Sequence, residues 1–324
     1  MIDVAIVGAG PCGLAAAIAA GRAGLRAVTF DAACIVSGIY GYPTNLTFFS
    51  TAEKLAIGGV PFVVATEKPT RRDALAYYRA VAAHFALELR QYEHVERIVR
   101  EGDGTFTLHT APRGAAPRTE RARHVVIATG YFGRPNLLGV PGEELRHVTH
   151  FFHEGHESFG QDAVVVGGAN SAVEVALDLA RSGARVTIVH FAPGLDPNVK
   201  PWVLPDIAGR LKEGTIASRF ESRVTAIDGT HVTIKGPNGS ERLPAQHVYL
   251  MLGFQPNTTL LEQLGVPIDP TTGIPRHDPA TMETTVPGVF LAGVLASGCE
   301  ANKTFIENGR HHGDLIAARI SADR

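Results

Sequence analysis

Neither sign of charge dominates this chain: 30 Lys and Arg against 32 Asp and Glu leave a formal net charge of −2. That balance excludes a basic nucleic-acid stripe and an acidic disordered tail, so no nucleic-acid partner is expected. Long hydrophobic runs are missing as well. No uninterrupted apolar stretch approaches the ~20 residues of a membrane helix, and no basic leader precedes the apolar run that opens at Ile2. The expectation is a cytoplasmic protein with no membrane association. Cysteine is scarce, and Cys12, Cys34 and Cys299 form neither a Cys-x-x-Cys nor a metal-ligand spacing. They exclude a disulfide framework, give no reason to expect a metal, and fit a reducing compartment.

What is present begins at once. Val4-Ala-Ile-Val-Gly8-Ala-Gly10-Pro11-Cys12-Gly13-Leu joins an apolar run, a Gly-x-Gly-x-x-Gly turn and an Ala-rich stretch without a gap. In such a turn the first glycine permits the bend and the second lets backbone approach a pyrophosphate. The third lets helix pack on strand, with the helix N-terminus facing the phosphates. The pattern predicts a strand over 2–7, a helix over 13–22 and a second strand over 26–30 that stops at Asp31. Asp31 lies 23 positions after Gly8, close to the offset of about 20 at which an acid accepts hydrogen bonds from a ribose. With 324 residues, the length allows a second domain.

The segment 34–61 is rich in Gly, Pro, Ser, Thr and aromatics and reads as a binding loop, with Asn45 on a wall of the cofactor pocket. Ser50 and Glu53 have the spacing of a capping box. A helix is expected over 70–85, its Arg71-Arg72-Asp73 start a solvated first turn. Alternating strands over 93–100, 105–110 and 123–127 suggest an antiparallel ribbon, the last ending in Ala128-Thr129-Gly130.

Sliding the chain on itself by 159 positions places Val4–Asp31 on Ala163–His190 without a gap. Val164-Val-Val-Gly167-Gly168-Ala169-Asn170-Ser171-Ala172 is then a second nucleotide turn, and two cradles in register imply two dinucleotides. At the end of the second strand His190 replaces Asp31. Without the acid, repulsion of a 2′-phosphate disappears, so the second site should prefer NADPH to NADH, with His190, Arg185 or Lys200 as phosphate partners.

The paired folds, Ala128-Thr129-Gly130, Gly253-x-x-Pro256-Asn257 and Pro287-Gly288-Val-Phe-x-Ala-Gly293 resemble the low-molecular-weight thioredoxin reductase class of flavoproteins across essentially the whole chain. Four local runs are similar to the bacillithiol disulfide reductase family: Gly8-Ala-Gly-Pro-Cys12-Gly13, Phe48-Phe-Ser-Thr-x-Glu53-Lys54-Leu, Gly167-Gly-x-Asn170-Ser171-Ala172 and Glu300-Ala-Asn302-x-Thr-Phe-Ile-Glu307-Asn-Gly309. The resemblance implies an α/β fold of two Rossmann-like domains of the thioredoxin reductase type. An FAD domain (1–134 and 254–324) would receive an inserted NADPH domain (135–253). It implies FAD held by Gly8, Gly10, Pro11, Cys12, Gly13, Asp31, Asn45, Thr129, Gly130, Gly293 and Lys303. NADPH would be held by Gly167, Gly168, Asn170, Ser171, Ala172 and His190. It also implies a small-molecule disulfide substrate, bacillithiol disulfide, and a homo-oligomer.

Two departures matter. The thioredoxin reductase Cys-x-x-Cys is replaced by His150-Phe-Phe-His153-Glu-Gly-His156, a polar loop without a metal-ligand pattern. The Gly-Asp of the late strand is Gly293-Val294, so the carboxylate that holds the flavin ribityl chain is missing, leaving backbone amides or Lys303 for that duty. Cys12 is left as the candidate nucleophile, at a helix N-terminus whose dipole favours thiolate. A ferredoxin–NADP reductase, in which Cys12 is incidental, and a non-catalytic flavin redox sensor are the alternatives.

Overall fold

A computed structural model describes residues 1–300 and 303–322; Ala301 and Asn302 of the Glu300-Ala-Asn302 run lie outside the described residues. The chain forms two compact units. Met1–Gly41, Leu46–Arg134 and the described residues from Phe254 onward make the first, and Tyr42–Asn45 with Pro135–Gly253 make the second.

The first unit opens with β1 (Ile2–Val7), α1 (Pro11–Arg22) and β2 (Ala27–Asp31). The apolar run of β1 is buried almost throughout, as a parallel strand covered on both faces requires. The helix starts at Pro11, two residues before its expected start. Proline at N1 brings a pre-set φ and lacks only an N–H that would have no helical partner there. Next comes α2 (Arg71–His84), whose cap, Thr70, exchanges hydrogen bonds with Asp73: Thr70 N donates to Oδ2 at 2.9 Å, and Asp73 N donates to Oγ1 at 3.2 Å. Arg71 corrects the expectation of a solvated first turn, because its guanidinium donates to the carbonyls of Ile39 and Tyr40. The Ser50–Glu53 capping box is also absent. The short helix Ala52–Leu55 is preceded by Thr51 with no side-chain cap, and Ser50 Oγ instead donates to Glu307.

β3 (Glu88–Gln91), β4 (Glu93–Arg100), β5 (Phe106–Pro112) and β6 (Arg118–Ile127) complete the run. β3 adds parallel to β2, while β4 and β5 pair antiparallel and β5 pairs antiparallel with β6. The C-terminal half of β6 runs parallel to β1. One strand thus joins the nucleotide sheet to the ribbon.

The second unit repeats the theme. β7 (Val148–Thr149), β8 (Asp162–Val166), α3 (Asn170–Arg181), β9 (Arg185–Val189), α4 (Leu204–Glu213), β10 (Ile216–Arg219) and β14 (His247–Leu250) supply a parallel sheet ordered β10-β9-β8-β14-β7. β11 (Arg223–Ile227), β12 (His231–Gly236) and β13 (Gly239–Pro244) form a separate antiparallel sheet. The first unit is then completed by β15 (Val289–Leu291), parallel to β6, and α5 (His312–Ala322).

The 159-residue repeat survives at the level of single hydrogen bonds. Both helices have 12 residues, α1 from Pro11 and α3 from Asn170. Gly8 N donates to Phe30 O at 2.7 Å, and Gly167 N to Val189 O at 3.0 Å. Ala128 N donates to Val7 O, and Met251 N to Val166 O, each at 2.8 Å.

Candidate dinucleotide sites

In the first cradle the three glycines have different duties. A Cβ on Gly8 (φ +112°) would collide with Ala128 O, and one on Gly13 with Gly8 O. Those two positions are closed by the protein itself. Around Gly10 no atom lies within 4 Å of where a Cβ would stand, so its bareness serves no packing partner and leaves room for a ligand. Gly10 is the N-cap of α1 and no side chain caps the helix, so its first-turn N–H groups have no side-chain acceptor. Pro11 follows at N1. Beside the cradle, Thr129 Oγ1 is buried without a hydrogen-bond partner, an orphan that a bound cofactor would satisfy. Gly130 (φ +70°) carries the chain away from it.

Asp31 stands at the end of β2, and its carboxylate is partly committed: Oδ2 accepts from Ala9 N and Oδ1 from Ala33 N, each at 2.8 Å. Ala9 O in turn accepts from Val36 N at 2.9 Å. Val36 pays for this brace with a left-handed backbone (φ 48°, ψ 39°), unusual for a β-branched residue. The acid therefore shapes the turn through both of its oxygens.

Cys12 is half-buried as a residue, yet its thiol is lodged in the interior. A Cβ on Gly293 would lie 3.1 Å from Sγ, and one on Gly309 would lie 2.9 Å from it. Burial pushes the Cys12 thiol up to about 12. This corrects the expectation of a dipole-activated thiolate: at the N-terminus of α1 desolvation outweighs the helix dipole, and the group is a neutral thiol at pH 7. Lys303 pairs with Glu300 on the surface, with two-thirds of its side chain exposed. Gly293 (φ +79°) donates its N–H to His312 Nδ1 at 3.1 Å, a partner absent from the motif reading. Asn45 belongs to the second unit, where the adjacent Thr44 N donates to His153 O at 2.8 Å.

In the second cradle a Cβ on Gly167 (φ +140°) would lie 2.5 Å from Met251 O, so this glycine again closes the turn. Gly168 has a reason that the motif alone does not reveal. Its missing Cβ would sit 2.5 Å from the His190 ring, which lies over this glycine where Asp31 reaches Ala9 in the first copy. Burial pulls the His190 pKa below the usual histidine value, with Asp196 opposing, so the ring is neutral at pH 7. Asn170 holds the following loop, accepting from Lys200 N at 2.9 Å and donating to Asn198 O at 3.3 Å. Ser171 is exposed in the uncapped first turn of α3, and Ala172 is buried. Arg185 is a correction: it forks onto Asp162 at 2.7 and 2.8 Å. It sits at the start of β9, about 16 Å of strand from His190. Among the described residues no group of three or more His, Cys, Asp and Glu is placed to hold a metal ion, and no helix is long and apolar enough to cross a membrane.

Two nucleotide cradles on one chain, one with a thiol in its turn, define a flavoprotein oxidoreductase of the thioredoxin reductase type. The chain belongs to the pyridine nucleotide-disulphide oxidoreductase family, which matches residues 5–293, and within it to the bacillithiol disulfide reductases. It is 43% identical over 317 residues to bacilliredoxin reductase Bdr of Bacillus subtilis, covering 98% of this chain and 96% of that protein. The structure of bacillithiol disulfide reductase Bdr from Bacillus cereus superposes with a TM-score of 0.97 at 41% identity, over 100% of this chain and 99% of that one. Lactococcus lactis thioredoxin reductase shares the fold, with a TM-score of 0.79 at 21% identity over the full length of both chains.

Proposed function

We propose that this chain binds FAD in its first unit and NADPH in its second, and reduces bacillithiol disulfide with Cys12 as the thiol that meets the substrate. The observation that carries the reading is the pairing of two unequal cradles with a thiol set in the turn of the acidic one. Gly8 and Gly13 close that turn, the first-turn amides of α1 receive the pyrophosphate, Asp31 the ribose, and Thr129 Oγ1 gains the partner it lacks. In the second unit the first turn of α3 receives the pyrophosphate and His190 the 2′-phosphate. FAD, when bound, supplies the two-electron relay between a nicotinamide and a disulfide.

Because Cys12 rests as a protonated thiol, its proton must leave as it attacks. Sγ bonds to one substrate sulfur, the S–S bond breaks, and the departing half takes that proton as a free thiol. The hydride equivalent of NADPH and one proton from water, two electrons and two protons in all, then release the second thiol and restore the Cys12 thiol. One NADPH and one proton are consumed per disulfide, and two thiols form.

The free state of all three cysteines supports a cytoplasmic setting. The test is NADPH consumption by the FAD-loaded protein against bacillithiol disulfide, glutathione disulfide, a bacilliredoxin, ferredoxin and oxygen. Bacillithiol disulfide should be the best acceptor, and Cys12→Ala should slow its reduction by about two orders of magnitude. A Cys12→Ala protein at full rate would remove Cys12 from the reaction. Preference for the bacilliredoxin would make a protein disulfide the acceptor, reduction of ferredoxin alone would make the chain a ferredoxin–NADP reductase, and turnover with none of them would leave a redox sensor.

A further inference from the structure

We infer that His312 is a positioning residue: through Nδ1 it fixes the Gly293 turn that, with Gly309, encloses the Cys12 thiol. The inference rests on the redox role proposed above for Cys12, but its test does not depend on turnover.

Gly293 follows β15 with φ +79°, a conformation an L side chain rarely adopts. Its Cα hydrogen leaves just enough room for the cysteine, since a Cβ would stand 3.0 Å from Cys12 Cβ and 3.1 Å from Sγ. Gly309 closes the chamber from the other side: a Cβ there would stand 2.9 Å from Sγ and 3.1 Å from Gly293 Cα. The three residues are 16 to 297 positions apart in the chain, so each wall must be held by contacts of its own.

Gly309 is held by its N–H, which donates to Phe305 O at 2.9 Å and Asn308 Oδ1 at 3.0 Å. Gly293 has one counterpart, the bond from its N–H to His312 Nδ1 at 3.1 Å. His312 is the first residue of α5, the helix that packs along α1. An acceptor at Nδ1 requires the proton on Nε2, so the imidazole must be neutral. Burial, with His277 and His311 adding like-charge repulsion, favours that form, lowering the pKa to about 4. The side chain in this slot must therefore offer an acceptor at the γ-branch distance. Val294 next to the turn has no polar atom, and Lys303 is committed to Glu300.

The experiment compares His312→Asn and His312→Gln in the FAD-loaded full-length protein. Asn Oδ1 falls where Nδ1 stands, whereas the longer Gln carbonyl falls near Nε2. The readouts are the rate of iodoacetamide labelling at Cys12, followed by mass spectrometry of its peptide, and the flavin retained through gel filtration, with thermal unfolding measured alongside. His312→Asn should label within about twofold of the parent and keep its flavin. His312→Gln should label about tenfold faster, the size of one lost buried hydrogen bond, and retain less flavin. Equal labelling and flavin retention in both variants and the parent would overturn the inference, as would equal acceleration in both, which would mean that the slot needs only the imidazole's bulk. The Cys12→Ala turnover assay reports separately on the redox reading, so one can fail while the other stands.

Discussion

The two cradles share a backbone and differ in how tightly it is closed. In the first, both Gly8 and Gly13 abut backbone oxygens, and the carboxylate of Asp31 reaches across to the N–H of Ala9. In the second, Ala172 already carries a Cβ at the position equivalent to Gly13, and His190 lays a ring on Gly168 where Asp31 makes a hydrogen bond. One copy is braced by charge against amide and the other by an aromatic ring against a bare Cα. The lesson is that exchanging the residue at the end of the second strand changes more than phosphate preference. It dictates which residue follows the first glycine, Ala9 in one copy and Gly168 in the other.

The largest effect should come from moving the third position of each turn toward its counterpart. Gly13→Ala forces a Cβ into Gly8 O and should cost about 3 kcal/mol or more, with loss of bound flavin. Ala172→Gly removes a buried methyl from the first turn of α3 and should cost about 1 kcal/mol, with NADPH binding largely kept. Flavin content and thermal unfolding of the two proteins check this. Equal costs would mean that the cradles are closed alike and would erase the distinction.

The repeat is what made this comparison legible. Strand, turn, helix and strand recur at a fixed offset because burial in a parallel sheet demands apolar runs and the turn demands glycine, and both demands are local. What escaped the sequence is long-range. Arg71 could not be matched to the Ile39 and Tyr40 carbonyls, nor Ser50 to Glu307, because nothing near them in the chain indicates such partners. Arg185 drew notice through its charge, but strand direction sends it to the opposite end of β9 from His190. The position of Cys12 at a helix N-terminus was readable, whereas its burial was not, since the walls come from Gly293 and Gly309. Only Gly168 carried an unread local signal: glycine in place of Ala9, paired with histidine in place of Asp31 at the same offset.

That pairing gives the next effect. His190→Asp should lower the preference for NADPH over NADH by roughly tenfold to a hundredfold, the worth of one or two charge-assisted contacts. Gly168→Ala leaves His190 in the sequence but pushes a Cβ into its ring, and should lower the preference in the same direction by a smaller factor. Kd values for both nucleotides decide the matter. If Gly168→Ala leaves the ratio intact, the ring's seat on Gly168 is packing without consequence for recognition.

The smallest effect separates the units by pH. Burial lowers the pKa of His312 in the first unit to about 4, and that of His190 in the second below its usual value. Each imidazole is neutral in the fold, so its contribution to stability is complete above the unfolded pKa near 6.5. As pH falls from there, the unfolded chain binds the proton first and stability declines, for His312 down to about pH 4. A nucleotide carrying a 2′-phosphate reverses the sign for His190 alone, because the bound anion favours the imidazolium. The affinity for NADP+ should therefore rise about twofold to threefold between pH 8 and pH 6.5, a range above the second phosphate pKa of about 6. The gain should vanish in His190→Ala and persist in His312→Asn, since only the first variant removes a group that meets the phosphate. Titration calorimetry at the two pH values measures it, and a gain that survives in His190→Ala would place the phosphate on another residue.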